Sequence, residues 1–381
     1  MDIIAEIKRM FTTEQIAVSE RVSVLELSFD FSANYIPIAE RYDTLFKMIP
    51  PRDTMEITLT CDSGDNVQIR SNSPFPMETF EEVINDLDDT SIISAKIEIK
   101  KYVKDNAFSI YSFDSFSTDL LSLSLDDIMK GFSFLLKDQN YLTFEVLSGD
   151  YFFATETMAF VPEQKSYLSR PFARAMRLEE CGDVSNFYNK ATFELLPDDF
   201  SIKVNCENNP FTEIFERICS LLSIAYISNN ASLEDGKLTA QIIGQRKIEY
   251  SYPISDTNIN AEFYKIYSWI YTDGSAVDKA IIARNIISLH CRYSPLGEID
   301  EKTFSSIQSN YKIYLKENVT QYIELKNKLA EFICDIVSKT GDYATALLGN
   351  LKNNLIAIFG FLFTVMLANI VSEQPLENIF T

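Results

Sequence analysis

Polar and apolar side chains alternate strictly along several stretches of the N-terminal half. In RVSVLELSFDF, Leu25, Leu27, Phe29 and Phe31 are separated by Glu26, Ser28 and Asp30, the period of a strand with one face in a core. MEITLTCDSGDNVQIR repeats the pattern with Met55, Ile57, Leu59 and Cys61 inward, then turns at DSGDN, which predicts a hairpin. A further strand is expected through Ile93, Ala95, Ile97 and Ile99, with a turn at Lys104-Asp105-Asn106 leading back along AFSIYSF. Helical spacing separates these runs in IAERYDTLFKMI, METFEEVINDL and LLSLSLDDIMKGFSFLL. Hairpins interleaved with helices predict an α+β fold built on a mainly antiparallel sheet.

TFEVLSGDY (143–151) and TFELLPDDF (192–200) match in register at Thr, Phe, Glu, Leu and Asp. With no third copy, this reads as a recurring strand-turn pattern rather than a repeat. Asn209-Pro210 has the form of a helix start, and KLTAQIIGQRKIEYSYPI that of another hairpin.

After Ile254 the pattern is helical only. Ser275 to Asp278 resembles a capping box for a helix ending near His290. Its Val277, Ile281, Ile282, Ile286, Ile287 and Leu289 predict a helix central to the core. A longer helix follows from about Asp300 to Lys339. Its seam runs Phe304, Ile307, Tyr311, Leu315, Val319, Tyr322, Leu325, Leu329, Phe332 and Ile336, in steps of three and four. Gly341 is its expected C-cap, and Asp342 the cap of the next segment. The exposed part of that seam, Leu325, Leu329, Phe332 and Ile336, is the candidate interface for a protein partner or a second copy of the chain.

Between Lys352 and Glu373 lie twenty residues without a charge. As a helix they cover roughly 30 Å, the thickness of a bilayer's hydrocarbon core. This predicts one C-terminal transmembrane helix, with Leu355, Phe359, Phe361, Phe363, Met366 and Ile370 among the residues of the span. Lys326, Lys328, Lys339 and Lys352 precede the span, and only Glu373 and Glu377 follow it. The positive-inside rule then leaves the N-terminal domain in the cytosol and the span in the inner (cytoplasmic) membrane. The sequons at Asn230 and Asn318 would stay unmodified there. The tail SEQPLENIFT is too short to fold, which fits either a tail anchor or a chain with a further span. The expected organisation is a cytosolic α+β domain over residues 1–254, as one unit or as two subdomains broken near 160–190. A helical stalk over 255–340 and a membrane segment with its tail over 341–381 complete it.

Composition narrows the chemistry. The 28 Phe and 19 Tyr supply a large core, whereas 11 Gly and the absence of GxGxxG and GxxxxGK[ST] motifs argue against a phosphate-cradling fold. A net charge of -21 with no dense Lys/Arg run opposes nucleic-acid binding. The six cysteines are scattered without metal-ligand spacing and read as reduced thiols. The single histidine, His290, removes multi-histidine metal sites, and Cys291 beside it points about 100° away on a helix.

Asp86, Asp88 and Asp89 upstream of KIEIK, with Glu98 and Lys100 on one face, form the sharpest enzymatic pattern, a metal-dependent nuclease or hydrolase. Lys96, Glu98 and Lys100 equally fit the solvated face of an antiparallel strand. The tip Asp62-Ser63-Gly64-Asp65-Asn66 offers oxygen ligands but not a full Ca²⁺ loop. No cofactor is implied. The expectation is a non-enzymatic, membrane-anchored binding, sensor or effector protein with partners in lipid and protein. By analogy of layout it would serve as an oligomeric subunit of a bacterial membrane complex or antiviral defence system.

Overall fold

The computed structural model describes residues 2–85, 87–88, 90–165, 167, 171–254, 260–292 and 296–372. The alternating stretches form the first sheet. Helix α1 (Ile3–Met10) precedes strands β1 (Ala17–Glu20) and β2 (Val24–Ser32), and α2 (Ala39–Phe46) precedes β3 (Thr54–Cys61) and β4 (Asn66–Arg70). Helix α3 (Met77–Asn85) leads into β5 (Ile92–Lys100). The strand order is β1-β2-β5-β3-β4, antiparallel throughout. Strand β3 buries every second residue, as its sequence requires. The inward face closes over Phe11, Tyr42, Leu45 and Phe80 from the helical segments, with Phe11 packed edge-on against Phe29 and Phe31.

A second core follows. Strand β6 (Ala107–Ile110), helices α4 (Phe113–Leu121) and α5 (Leu125–Leu136), and strands β7 (Leu142–Val146), β8 (Phe153–Ala154) and β9 (Met158–Pro162) form a mixed sheet in the order β6-β7-β9-β8. Strands β6, β7 and β9 run parallel. The expected hairpin return at Lys104-Asp105-Asn106 is thus corrected. The turn exists, with Asp105 and Asn106 both at positive φ, but β6 joins β7 instead of β5. Phe108, Ser109 and Ile110 are all buried, which suits a strand covered on both faces and not a half-exposed hairpin arm. LLSLSLDDIMKGFSFLL is divided between two helices, because Ser124 caps α5 by accepting from the Asp127 amide.

The remaining elements of this core are α6 (Arg174–Val184), β10 (Asn186–Phe187), α7 (Lys190–Phe193), α8 (Pro197–Phe200), α9 (Thr212–Ile227), β11 (Asn230–Glu234), β12 (Lys237–Ile243), β13 (Lys247–Pro253), α10 (Glu262–Ile270) and α11 (Ala276–His290). Strands β10 to β13 form the third sheet, in that order, with β10 parallel to β11 and the rest antiparallel. TFEVLSGDY contains β7 while TFELLPDDF contains two short helices, so the two nonapeptides do not share a structure. Pro197 opens α8, and Asp199 accepts from the Leu196 amide at 2.8 Å. Helix α9 starts at Thr212, two residues past Pro210, with Asn209 Oδ1 accepting from the Phe211 amide.

Ser275 caps α11 as its spacing predicts. The buried side of α11 differs from expectation. Val277, Ile281 and Leu289 are exposed, while Lys279, Ala280, Ala283, Arg284 and Ile287 face inward. Two cations occupy the interior face for reasons given below.

The last helix, α12 (Glu301–Ser372), is unbroken. The stop expected at Gly341 does not occur. A solvent-exposed helical glycine costs only about 1 kcal/mol, which one position cannot turn into a break. The chain divides into two units, Met1–Gln308 and Ser309–Thr381. Within the first, the opening turns of α12 bury Thr303 and Ile307 and set Phe304 against Trp269. Within the second, the described residues are helix alone. The fold is therefore α+β, with one antiparallel and two mixed sheets and a long C-terminal helix apolar enough to cross a membrane.

Candidate functional site

The nuclease-like pattern lies on the outer face of the first sheet. Glu98 stands between Glu26 and Glu56 on the neighbouring strands and is ion-paired to Lys96, while Lys100 is opposite Val24 and Thr54. Glu56, Arg70, Glu98, Lys100 and Tyr102 border an open groove of ≈ 460 Å³. Asp86 and Asp89 lie outside the described residues. Asp88 is occupied in a turn, where the Thr90 and Ser91 hydroxyls and the Thr90 amide hold its carboxyl below the usual range. No three His, Cys, Asp or Glu side chains among the described residues are placed to hold a metal ion. Glu98→Gln and Lys100→Ala, at a half-buried and an exposed position on the outer sheet face, should each change stability by less than about 0.5 kcal/mol and leave function intact. Loss of a Mg²⁺-dependent nuclease activity in either purified variant would contradict this.

Oxygens at the hairpin tip are also used locally. Ser63 donates to Asp65, Asp62 accepts from the Ile92 amide, and Gly64 takes the φ of +93° that the turn demands. His290 Nδ1 is 3.2 Å from Thr303 Oγ1, which donates to Asp300 Oδ1. The three tie the end of α11 to the start of α12, and Cys291 merely closes α11. All six cysteines are free. Burial pushes the Cys181 thiol up to about 12 and raises Cys219 as well, so neither is poised as a thiolate nucleophile.

Buried charge is concentrated where elements end. Glu20 and Lys101 pair at 2.9 Å with both side chains fully covered, and Glu20 also accepts from the amides of Tyr111 and Ser112. This joins the first sheet to the second core. Arg174 forks onto Asp199 through Nε (2.9 Å) and Nη2 (3.0 Å) and donates to the carbonyls of Leu136 and Glu194. Among the described residues Arg284 pairs with backbone carbonyls and with no carboxylate. It donates to the carbonyls of Ile227, Ser228 and Val184, at the C-terminal ends of α9 and α6. Lys279 does the same for α10, donating to the carbonyls of Trp269, Thr272 and Asp273. These cations replace the missing helix donors at three C-termini. They explain why α11 turns its charged side inward.

Beside them, Asp198 accepts from Tyr267 at 2.6 Å and from Tyr264 at 3.2 Å, and burial raises its carboxyl above the usual range. Tyr264 forms one wall of a cavity of ≈ 330 Å³ with Phe200, Cys219, Ser220, Asn260 and Lys265. The spacing of Tyr264, Tyr267 and Tyr271 at three and four residues is the sequence signal for this hydroxyl-bearing face. Helical Arg and Lys give no such signal, because the same residues normally mark a solvated face.

The candidate site that reaches outside the molecule is α12. Beyond Leu315 the seam is bare. Val319, Tyr322, Leu325, Leu329, Phe332 and Ile336 are each 46–67% exposed. Further on, Leu355, Phe359, Phe361, Phe363, Met366 and Ile370 are also exposed, and among the described residues none in the most apolar window of the helix is buried. The stretch 353–372 is uncharged, and its Thr364 hydroxyl donates to the Gly360 carbonyl inside the helix. The helix satisfies its backbone groups through its own N–H to C=O ladder, and this bond satisfies the Thr364 hydroxyl as well, as hydrocarbon requires. Comparison of the chain with protein-family models, with curated proteins and with solved structures gives no match.

Proposed function

We propose that this chain is a membrane-anchored binding protein, held in the bilayer by residues 353–372 of α12 and carrying the Met1–Gln308 unit on the cytosolic side. The observation that carries the reading is the uncharged, uncovered segment of about 30 Å at the end of α12. Twenty uncharged, mostly apolar residues left in water would form an exposed patch far larger than soluble monomers tolerate. The Lys residues on its N-terminal flank support the cytosolic placement. Nearly all of the net negative charge lies in residues 1–308, which favours basic or neutral protein partners over nucleic acid.

A binding role, as opposed to catalysis, draws support from the way the polar groups of the first unit are spent. Its buried Arg284 and Lys279 close helix ends, and burial pushes the Cys181 and Cys219 thiols up, away from the thiolate form. In this reading the protein acts as a sensor or effector subunit, with partner binding on the first unit and the helix as its connection to the membrane. Deleting residues 341–381 should move the chain from the membrane pellet to the soluble fraction. A deletion variant that still sediments with membranes would place the attachment elsewhere.

A further inference from the structure

The bare stripe on α12 lies N-terminal to the proposed span and has no role in anchoring. From Tyr322 to Ile336 its steps are three, four, three and four, the spacing of a coiled-coil seam. The stripe from Val319 to Ile336 runs roughly 25 Å along the helix. It continues the face that buries Ile307 in the first unit. It ends where Lys339 takes the next seam position, ion-paired to Asp335 at 2.7 Å.

From the anchor reading and this stripe, we propose that two copies of the chain pair in parallel and in register through Tyr322, Leu325, Leu329, Phe332 and Ile336. The direction follows from the anchor, on which this inference rests. Copies in one membrane with their first units on one side run the same way, so each seam residue meets its own counterpart. Charges agree with this arrangement. In the parallel register the positions flanking the seam set Gln321 against Lys326, Lys328 against Ile333 and Asp335 against Thr340, so no like charges are opposed from Tyr322 to Ile336, and the pairing stops there because the next seam position would set Lys339 against its own counterpart. The surface is thus self-complementary, as a two-fold interface must be.

Cys334 supplies an internal control. It is exposed, and at about 100° per residue it sits roughly 160° from the centre of the stripe. The test is thiol cross-linking of the full chain in isolated membranes, comparing the wild type with Leu325→Cys and Phe332→Cys. Both variants should give a band at twice the 43.5 kDa chain mass on a non-reducing gel, and the wild type should not.

An antiparallel pair can bring at most one of the two positions to its counterpart, so a band from only one variant would overturn the proposal. So would cross-links to a band of another mass, or no cross-link in either variant while the chain remains in the pellet. Those last results would leave the anchor standing. Recovery of the chain in the soluble fraction would refute the anchor instead. Doubling of both variants even there would show that the pairing does not depend on it.

Discussion

Arg284→Met should lower the stability of the first unit by about 3–5 kcal/mol. The guanidinium is 6% exposed and donates 2.7–2.9 Å hydrogen bonds to three carbonyls, those of Ile227, Ser228 and Val184. Methionine keeps the packing volume but removes every donor. Each buried carbonyl left without one costs roughly 1–3 kcal/mol. Burial pulls the Arg284 pKa down, yet a guanidinium starts so high that it stays charged, so the loss should not depend on pH near neutrality.

Arg284→Lys should restore less than half of the loss, because an ammonium on a flexible stem cannot reproduce the planar fork that spans two helix ends. The backbone leaves little room to adjust. At Gly244 a Cβ would come within 2.4 Å of the Arg284 carbonyl oxygen, so the turn between β12 and β13 already rests against α11. Urea unfolding of the variant should shift its midpoint with an unchanged slope. A shift worth less than about 1 kcal/mol would mean that these carbonyls find other donors.

Asp199→Ala should be comparably damaging, by about 3–5 kcal/mol, for a different reason. It strands the Arg174 guanidinium, which is 4% exposed, and also removes the acceptor of Thr157 Oγ1 and of the Leu196 amide at the start of α8. Burial works to lower the Arg174 pKa, but the charge and hydrogen bonds of Asp199, together with Tyr226 and Glu194, outweigh it, and the net movement is upward. Replacing both partners, Arg174→Met with Asp199→Leu, should cost less than Asp199→Ala alone, because no unpaired charge then remains. A double-mutant cycle by urea unfolding measures that coupling. Additive losses would show that the pair acts only through its separate contacts with the backbone.

Both predictions concern residues that the amino-acid pattern does not single out, and the reason is physical. A period of two reveals a strand when one face is buried and the other wet. The first sheet meets that condition, so Leu25 to Phe31 and Met55 to Cys61 announce themselves. Strand β6 is covered on both faces and carries no alternation, and its partner is chosen by tertiary packing alone. Helix α11 inverts the usual rule, since three open helix ends need donors more than Val277 or Ile281 need burial. The Asp198 and Asp199 side chains sit in a nonapeptide whose sequence match, TFEVLSGDY, begins as strand β7, so the match gives no sign of the short helix they occupy. Their burial depends on Arg174, Tyr264 and Tyr267, which are 25 to 69 residues away.

On α12 the seam and the uncharged run were legible because both are properties of one helix face or one composition. The continuity of the helix through Gly341 was not, because glycine is enriched just past helix ends, while the cost of one exposed interior glycine, about 1 kcal/mol, is small enough for a long helix to absorb.

The central claim is that residues 353–372 cross a bilayer. Its most direct test is alkaline carbonate extraction of membranes containing the full-length chain, which strips peripheral proteins and leaves integral ones. The account predicts that the chain stays in the pellet and is released only by detergent. Quantitative recovery in the carbonate supernatant would contradict it and return the end of α12 to the role of a helix covered by protein.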